Sequence, residues 1–263
     1  MIDTHTHLDG EEFKDDLPET IQRAKEAGME AVFVPAIDLK SCHGAMAVAE
    51  QFPGYAYAMM GIHPEEVKAD WREQCAKIKA LINQTMCDKS RKQHLIAIGE
   101  VGLDYYWSRE FEQEQLLAFE EQIKWSVETR LPLMIHCRKA QNEMVKLLRK
   151  YESELPGGVF HCFTGNEHEA KELLEFKNFV LGIGGVLTFK KSNLPQTLPA
   201  VVPLERIVLE TDSPYMAPVP HRGERNESSF VPLICNRLAE AYGVSQEEVE
   251  RITNATVNRI FNI

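Results

Sequence analysis

HLIAIGEV at residues 94–101, EFEQEQLLAFEEQIKWSVET at 110–129 and LPLMIHC at 131–137 together decide the fold. The first and third are short apolar runs, and the stretch between them carries its apolar residues at helical spacing. That order reads as strand, helix, strand, and a strand that returns after a helix lies parallel to the first. Pro132 suits the opening of the second strand, where a missing N–H does little harm. The alternation continues in both directions along the chain. Candidate strands fall at residues 1–7, 31–37, 55–62, 94–101, 133–137, 158–163, 179–185 and 207–211. Residues 17–28 form another helix-patterned segment, with Gly28 where a C-terminal stop belongs. Eight such repeats predict an α/β chain of the (β/α)8 TIM-barrel type. No repeat motif, low-complexity tract or linker divides the sequence, so one domain over residues 1–263 is expected. The longest irregular piece, SPYMAPVPHRGERNESS at 213–229, reads as a loop after the eighth strand, where function often collects.

Composition narrows the function classes. The chain has 263 residues, 44% of them hydrophobic, enough for one large core. No apolar run approaches the ~20 residues of a membrane helix. The opening MIDTHTHLDG lacks a basic segment followed by an apolar stretch, so no secretory signal is expected. Six cysteines without a CxxC pair read as reduced thiols, and the expected compartment is the cytoplasm. The formal net charge of −11 argues against a broad footprint on duplex DNA, which needs a basic face. A small pocket that grips one or two phosphates is compatible with it.

The chemistry starts at His5-Thr6-His7. Alternate residues of a strand point the same way, so both imidazoles can face one point and serve a transition metal. An isolated HxH is equally well read as two polar residues near a terminus. The pattern then recurs: Glu100 closes LIAIGE, His136 closes LPLMIH, His161 closes GGVFH and Asp212 follows IVLET. Any one of these alone is more often a satisfied structural residue. Six ligand-type residues at five strand ends are hard to explain in that way, because the C-terminal rim of a barrel is where catalytic groups gather.

HTHLD at 5–9, GIHP at 61–64, GEVGLDYY at 99–106, IHCRKA at 135–140, HCFTG at 161–165 and ETDSPYMAP at 210–218 resemble the TatD family of metal-dependent deoxyribonucleases. The motifs occur in the family's order over nearly the whole chain. The resemblance implies an amidohydrolase-like TIM barrel with one or two divalent ions, Zn, Mg or Mn. It implies His5, His7, Glu100, His136, His161 and Asp212 as ligands. Glu100 would bridge, with His5, His7 and Asp212 on one ion and His136 and His161 on the other. Lys139 departs from the acidic residue the family more often shows there.

Two divalent ions over two carboxylates and a hydroxide leave a small positive excess, which suits a single phosphodiester at a strand end. The expected reaction is attack by a metal-activated water, with Glu100 and Asp212 as catalytic groups and Asp212 placed to accept the proton. The expected substrate is DNA, at ends or in single strands; an amidohydrolase or small-molecule phosphoesterase is the alternative. His63 and Arg138 are expected substrate contacts, the latter because arginine binds phosphate bidentately. For His63 a capping or core role fits the spacing equally well. Tyr105, Tyr106 and Trp107 either offer a stacking surface for bases or cover the core. Lys190, Lys191, Arg222 and Arg225 read mostly as a solvated face. Cys137 and Cys162 are expected to turn away from the ligands as buried small hydrophobes. Asp9 and Asp104 fit a turn or helix cap as well as a site.

Overall fold

The computed structural model describes residues 1–263. Its strands are β1 Ile2–Asp3, β2 Ala31–Pro35, β3 Ala56–Met60, β4 Leu95–Asp104, β5 Leu133–Arg138, β6 Gly158–Phe160, β7 Phe179–Ile183 and β8 Ile207–Leu209. They form one sheet in chain order, and the helices that separate them make this a (β/α)8 barrel. The helices are α1 Leu17–Glu26, α2 Leu39–Gln51, α3 Trp71–Cys87, α4 Lys89–Lys92, α5 Glu112–Thr129, α6 Gln141–Arg149, α7 Glu167–Leu174, α8 Leu194–Val201, α9 Val231–Tyr242 and α10 Gln246–Phe261. None is long and apolar enough to cross a membrane. The chain divides into two compact units, residues 34–160 and residues 1–33 with 161–263.

In the unit of residues 1–33 and 161–263, the chain past β1 is extended but shared between two neighbours. Thr4 N–H donates to Leu209 O, Thr6 N–H to Phe33 O and His7 N–H to Ser213 O. This alternation keeps residues 5 and 7 on one side, as the sequence required. β1 itself is shorter than expected, ending at Asp3, with Thr6 joined to Ser213 by an isolated parallel bridge beyond it. Phe33, Val208, Leu238 and Val257 are buried in this unit, and Phe33 meets Phe261 edge to face.

The loop after β8 is strapped to α1. Arg225 donates to Asp16 Oδ1 and Oδ2 at 2.7 and 2.6 Å, and Arg23 holds Glu227 by three bonds of 2.7–3.1 Å. Arg225 is therefore paired, where the sequence suggested a solvated face. The Arg225 hydrogen bonds hold the Asp16 carboxyl far below the usual range. For Glu227, burial works upward, but Arg23 and Ser229 outweigh it and the carboxyl sits below its ordinary value. Both acids take up protons on unfolding, so their contribution is present above pH ~4 and is lost as pH falls toward the folded values. Asp16→Asn is expected to lower Tm by about 2–4 °C at pH 7, the scale of a kcal/mol in a chain of this size. The difference should begin to narrow below pH ~4 and persist at pH 3, closing only as pH approaches the lower folded value, which thermal melts across that range would check.

In the unit of residues 34–160, β4 carries the sheet, with all ten of its residues buried between β3 and β5. It runs three residues beyond the expected end because Gly102 lies directly against the His136 backbone, where a Cβ would collide with the carbonyl. A glycine that reads as a strand breaker here admits the neighbouring strand. The apolar face of α5 buries Phe119, Ile123 and Trp125, and the same helix turns two glutamines inward. Gln122 accepts from Ile62 N–H at 2.7 Å and donates to Ile62 O at 3.2 Å. Gln115 makes the same pair of bonds to Asp104, at 2.9 and 3.1 Å. Seven residues apart on one helix face, they clamp the chain beside His63 and at the end of β4.

Candidate metal centre

In the unit that holds both chain ends, three imidazoles meet one carboxylate oxygen. Asp212 Oδ1 lies 3.9 Å from His5 Nε2, 3.6 Å from His7 Nε2 and 3.9 Å from His161 Nε2. These distances are too long for hydrogen bonds. They approach the ~3.4 Å edge between ligands that each sit about 2.1 Å from a tetrahedral ion. The His5 and His161 rings stack at 3.6 Å, and both bring Nε2 to 3.9 Å from Asp212 Oδ1. The donor set fits a divalent ion, by imidazole nitrogen and carboxylate oxygen. Burial works to raise the Asp212 carboxyl, but His7 and the positive potential of His161 and His5 outweigh it and hold it below the usual range.

Two carboxylates that the sequence reading passed over support this cluster. Glu210, fully buried, puts Oε1 3.1 Å from His161 Nδ1 and accepts the Cys162 N–H with the same oxygen at 2.6 Å. A carboxylate at Nδ1 favours the proton there and leaves Nε2 as the donor nitrogen. Gly182 makes room for it, since a Cβ at that position would run into the Glu210 carboxylate. Asp3 lies beneath His5, accepting from Thr211 N–H and Oγ1–H, Ser228 Oγ–H and His5 N–H. Burial dominates its environment and pushes its carboxyl up to about 6. Parity held the signal for both: Asp3 precedes His5 by two residues, and Glu210 precedes Asp212 by two.

In the unit of residues 34–160, Glu100 stands between two histidines. Its Oε1 lies 3.0 Å from His136 Nδ1 and 3.5 Å from His63 Nε2. Asp104 Oδ2 sits 2.9 Å from His136 Nε2, and Asp104 Oδ1 accepts the Tyr106 N–H. Asp104 thus caps a turn and touches a histidine at once. Burial works upward on its carboxyl, but His136, the Tyr106 N–H and Arg138 win, and it lies below the ordinary range. His63 caps the short 3-10 helix Pro64–Glu66 by accepting the Glu65 N–H on Nδ1 at 3.1 Å. That bond places the proton of a neutral His63 on Nε2, so in this pose the ring donates rather than ligates. His63 lies three residues beyond the end of β3, which stops at Met60 where the sequence suggested a strand to residue 62.

Arg138 is exposed at the end of β5, with its guanidinium 3.6 Å above the Tyr106 ring. Tyr105 is buried, whereas Tyr106 and Trp107 are exposed, so the aromatic triplet splits between core and surface. Arg222 lies over Phe189 at 3.7 Å, and Lys190 and Lys191 are exposed. Cys137 and Cys162 are half-buried rather than buried. Cys162 has φ +48°, which breaks strand alternation, and Cys137 sits where β5 emerges from cover.

Residues 2–262 match the family described as TatD related DNase. The chain is 36% identical to a metal-dependent hydrolase of Bacillus subtilis, YabD, over 100% of this chain and 99% of that one. It is 30% identical to the 3'-5' ssDNA/RNA exonuclease TatD of Pectobacterium atrosepticum, with both chains covered in full. The crystal structure of the Escherichia coli TatD homologue YJJV superposes with a TM-score of 0.91 at 26% identity, covering 100% of this chain and 98% of that one.

Proposed function

The chain belongs to the TatD family of related DNases, and from that membership we propose that it is a divalent-metal-dependent phosphodiesterase acting on the ends of single-stranded DNA. The observation that carries this is the convergence of His5, His7 and His161 on Asp212 at near-ligand spacing. We assign His5, His7, Glu100, His136, His161 and Asp212 as metal ligands, in one catalytic domain that works in the cytoplasm. Bound ions would supply Lewis acidity and a water of lowered pKa. Asp212 accepts the proton of the attacking water, and Glu210 and Asp3 keep its imidazole neighbours aimed. His63 donates from Nε2 toward a phosphate oxygen, and Arg138 offers its N–H edge to the same group. The proposed ions are transition metals rather than Mg, because four imidazoles suit a softer cation. RNA ends fall within the same chemistry, as the Pectobacterium relative's description includes them.

The test is a substrate panel with Mg, Mn, Zn and Co added separately. Single strands with a free 3' end should release mononucleotides; 3'-blocked strands and duplex should be slow. Arg138→Ala should lower kcat/KM on oligonucleotides about 10- to 100-fold, the scale of a charged hydrogen bond, with metal content near normal. Hydrolysis of amides or lactones with every oligonucleotide left intact would replace this reading with the amidohydrolase one.

A further inference from the structure

We propose that Tyr106, Trp107 and Arg138 form a nucleotide-reading platform, with Tyr106 holding the Arg138 guanidinium for a phosphate and Trp107 stacking on an unpaired base. The inference rests on the nuclease reading above and names how that site selects its strand.

The platform is built, not incidental. The guanidinium lies 3.6 Å over the Tyr106 ring and 5.3 Å from the Trp107 centroid, and the two rings meet edge to face at 4.8 Å. With one π-face covered by tyrosine, the guanidinium keeps its N–H edge for an anion, and no protein acceptor takes those N–H groups. Trp107 is 67% exposed and Tyr106 49%, although Tyr105 beneath them already covers the core. An indole left in water presents a flat surface that any base can stack on.

Its backbone is fixed to the elements that carry the candidate metal residues. Tyr106 N–H donates to Asp104 Oδ1 at 2.8 Å, and Tyr105 N–H donates to Arg138 O at 2.9 Å. Asp104 is register partner to Arg138 and contacts His136 with its other oxygen. The stack therefore stands at the ends of the two strands that carry Glu100 and His136. Lys139, next in sequence and exposed, adds positive charge in a chain of net charge −11. Because stacking needs an exposed base face, the platform selects single strands and frayed ends over duplex.

Trp71 and Trp125 are buried, so acrylamide quenching of the metal-loaded protein reads Trp107 above the other tryptophans. A single-stranded oligonucleotide with slowly cleaved phosphorothioate linkages should shield that fluorescence. Trp107→Ala should raise KM for single strands about tenfold with Tm unchanged, and Trp107→Phe should restore most of the loss. An abasic site at one of the last three positions should raise the wild-type KM by a similar factor, and Trp107→Ala should then add nothing further. Unshielded fluorescence at saturating oligonucleotide, with KM for Trp107→Ala within twofold of wild type, overturns the platform while cleavage stands. Absence of both binding and cleavage with every metal overturns the nuclease reading, and the platform with it.

Discussion

Glu100→Gln should cut turnover on single-stranded DNA by ~10³-fold or more while leaving the fold intact, equivalent to roughly 4 kcal/mol of lost transition-state stabilisation. Glutamine has almost the same shape, so the buried middle of β4 is not overpacked or emptied. What changes is charge. Glu100 Oε1 stands 3.0 Å from one histidine and 3.5 Å from another. A neutral amide there offers His136 and His63 a weaker partner and offers a divalent ion no negative charge. The measurements are kcat/KM on a 3'-labelled oligonucleotide, metal content after dialysis, and Tm of the metal-free proteins. The variant should bind less metal, melt within a few degrees of wild type when both are metal-free, and scarcely turn over. Wild-type rates with full metal content would remove Glu100 from the centre and leave its burial, only 3% exposed, without a functional reason.

The six ligand-type residues were legible in the sequence because each ends an apolar run, and that requires only the period of a strand. What supports them was not. Gln115 and Gln122 look like the polar face of an amphipathic helix, and nothing in a pattern of polar residues tells a buried amide from a solvated one. Yet these two fix the backbone at Asp104 and Ile62. Gly102 had the opposite fault, reading as a strand end while it allows close approach to His136. Glu210 and Asp3 share parity with recognised residues, so the strand rule already pointed to them. Arg225 was lost among surface charges because its partner, Asp16, lies 209 residues away.

Exhaustive chelation should abolish activity and lower Tm by about 8–16 °C relative to the metal-saturated protein. An ion held at ~1,000 times its Kd stabilises the folded chain by ~4.1 kcal/mol, and each kcal/mol is about 2–4 °C at this length. The structural reason lies in how His5, His7, His161 and Asp212 are placed. The imidazole Nε2 atoms stand 3.6–3.9 Å from Asp212 Oδ1, close to the spacing of ligands around one ion. These residues would hold a divalent ion, and the free energy of binding it would belong to folding as well as to catalysis. Add-back then separates the metals. Imidazole-rich coordination should let Mn, Co or Zn restore both Tm and turnover at micromolar levels, with Mg needed in the millimolar range. The decisive observation pairs two measurements on one sample, metal content and rate. Full activity in protein shown to hold no metal would sink the assignment of these residues as ligands, whatever the family resemblance.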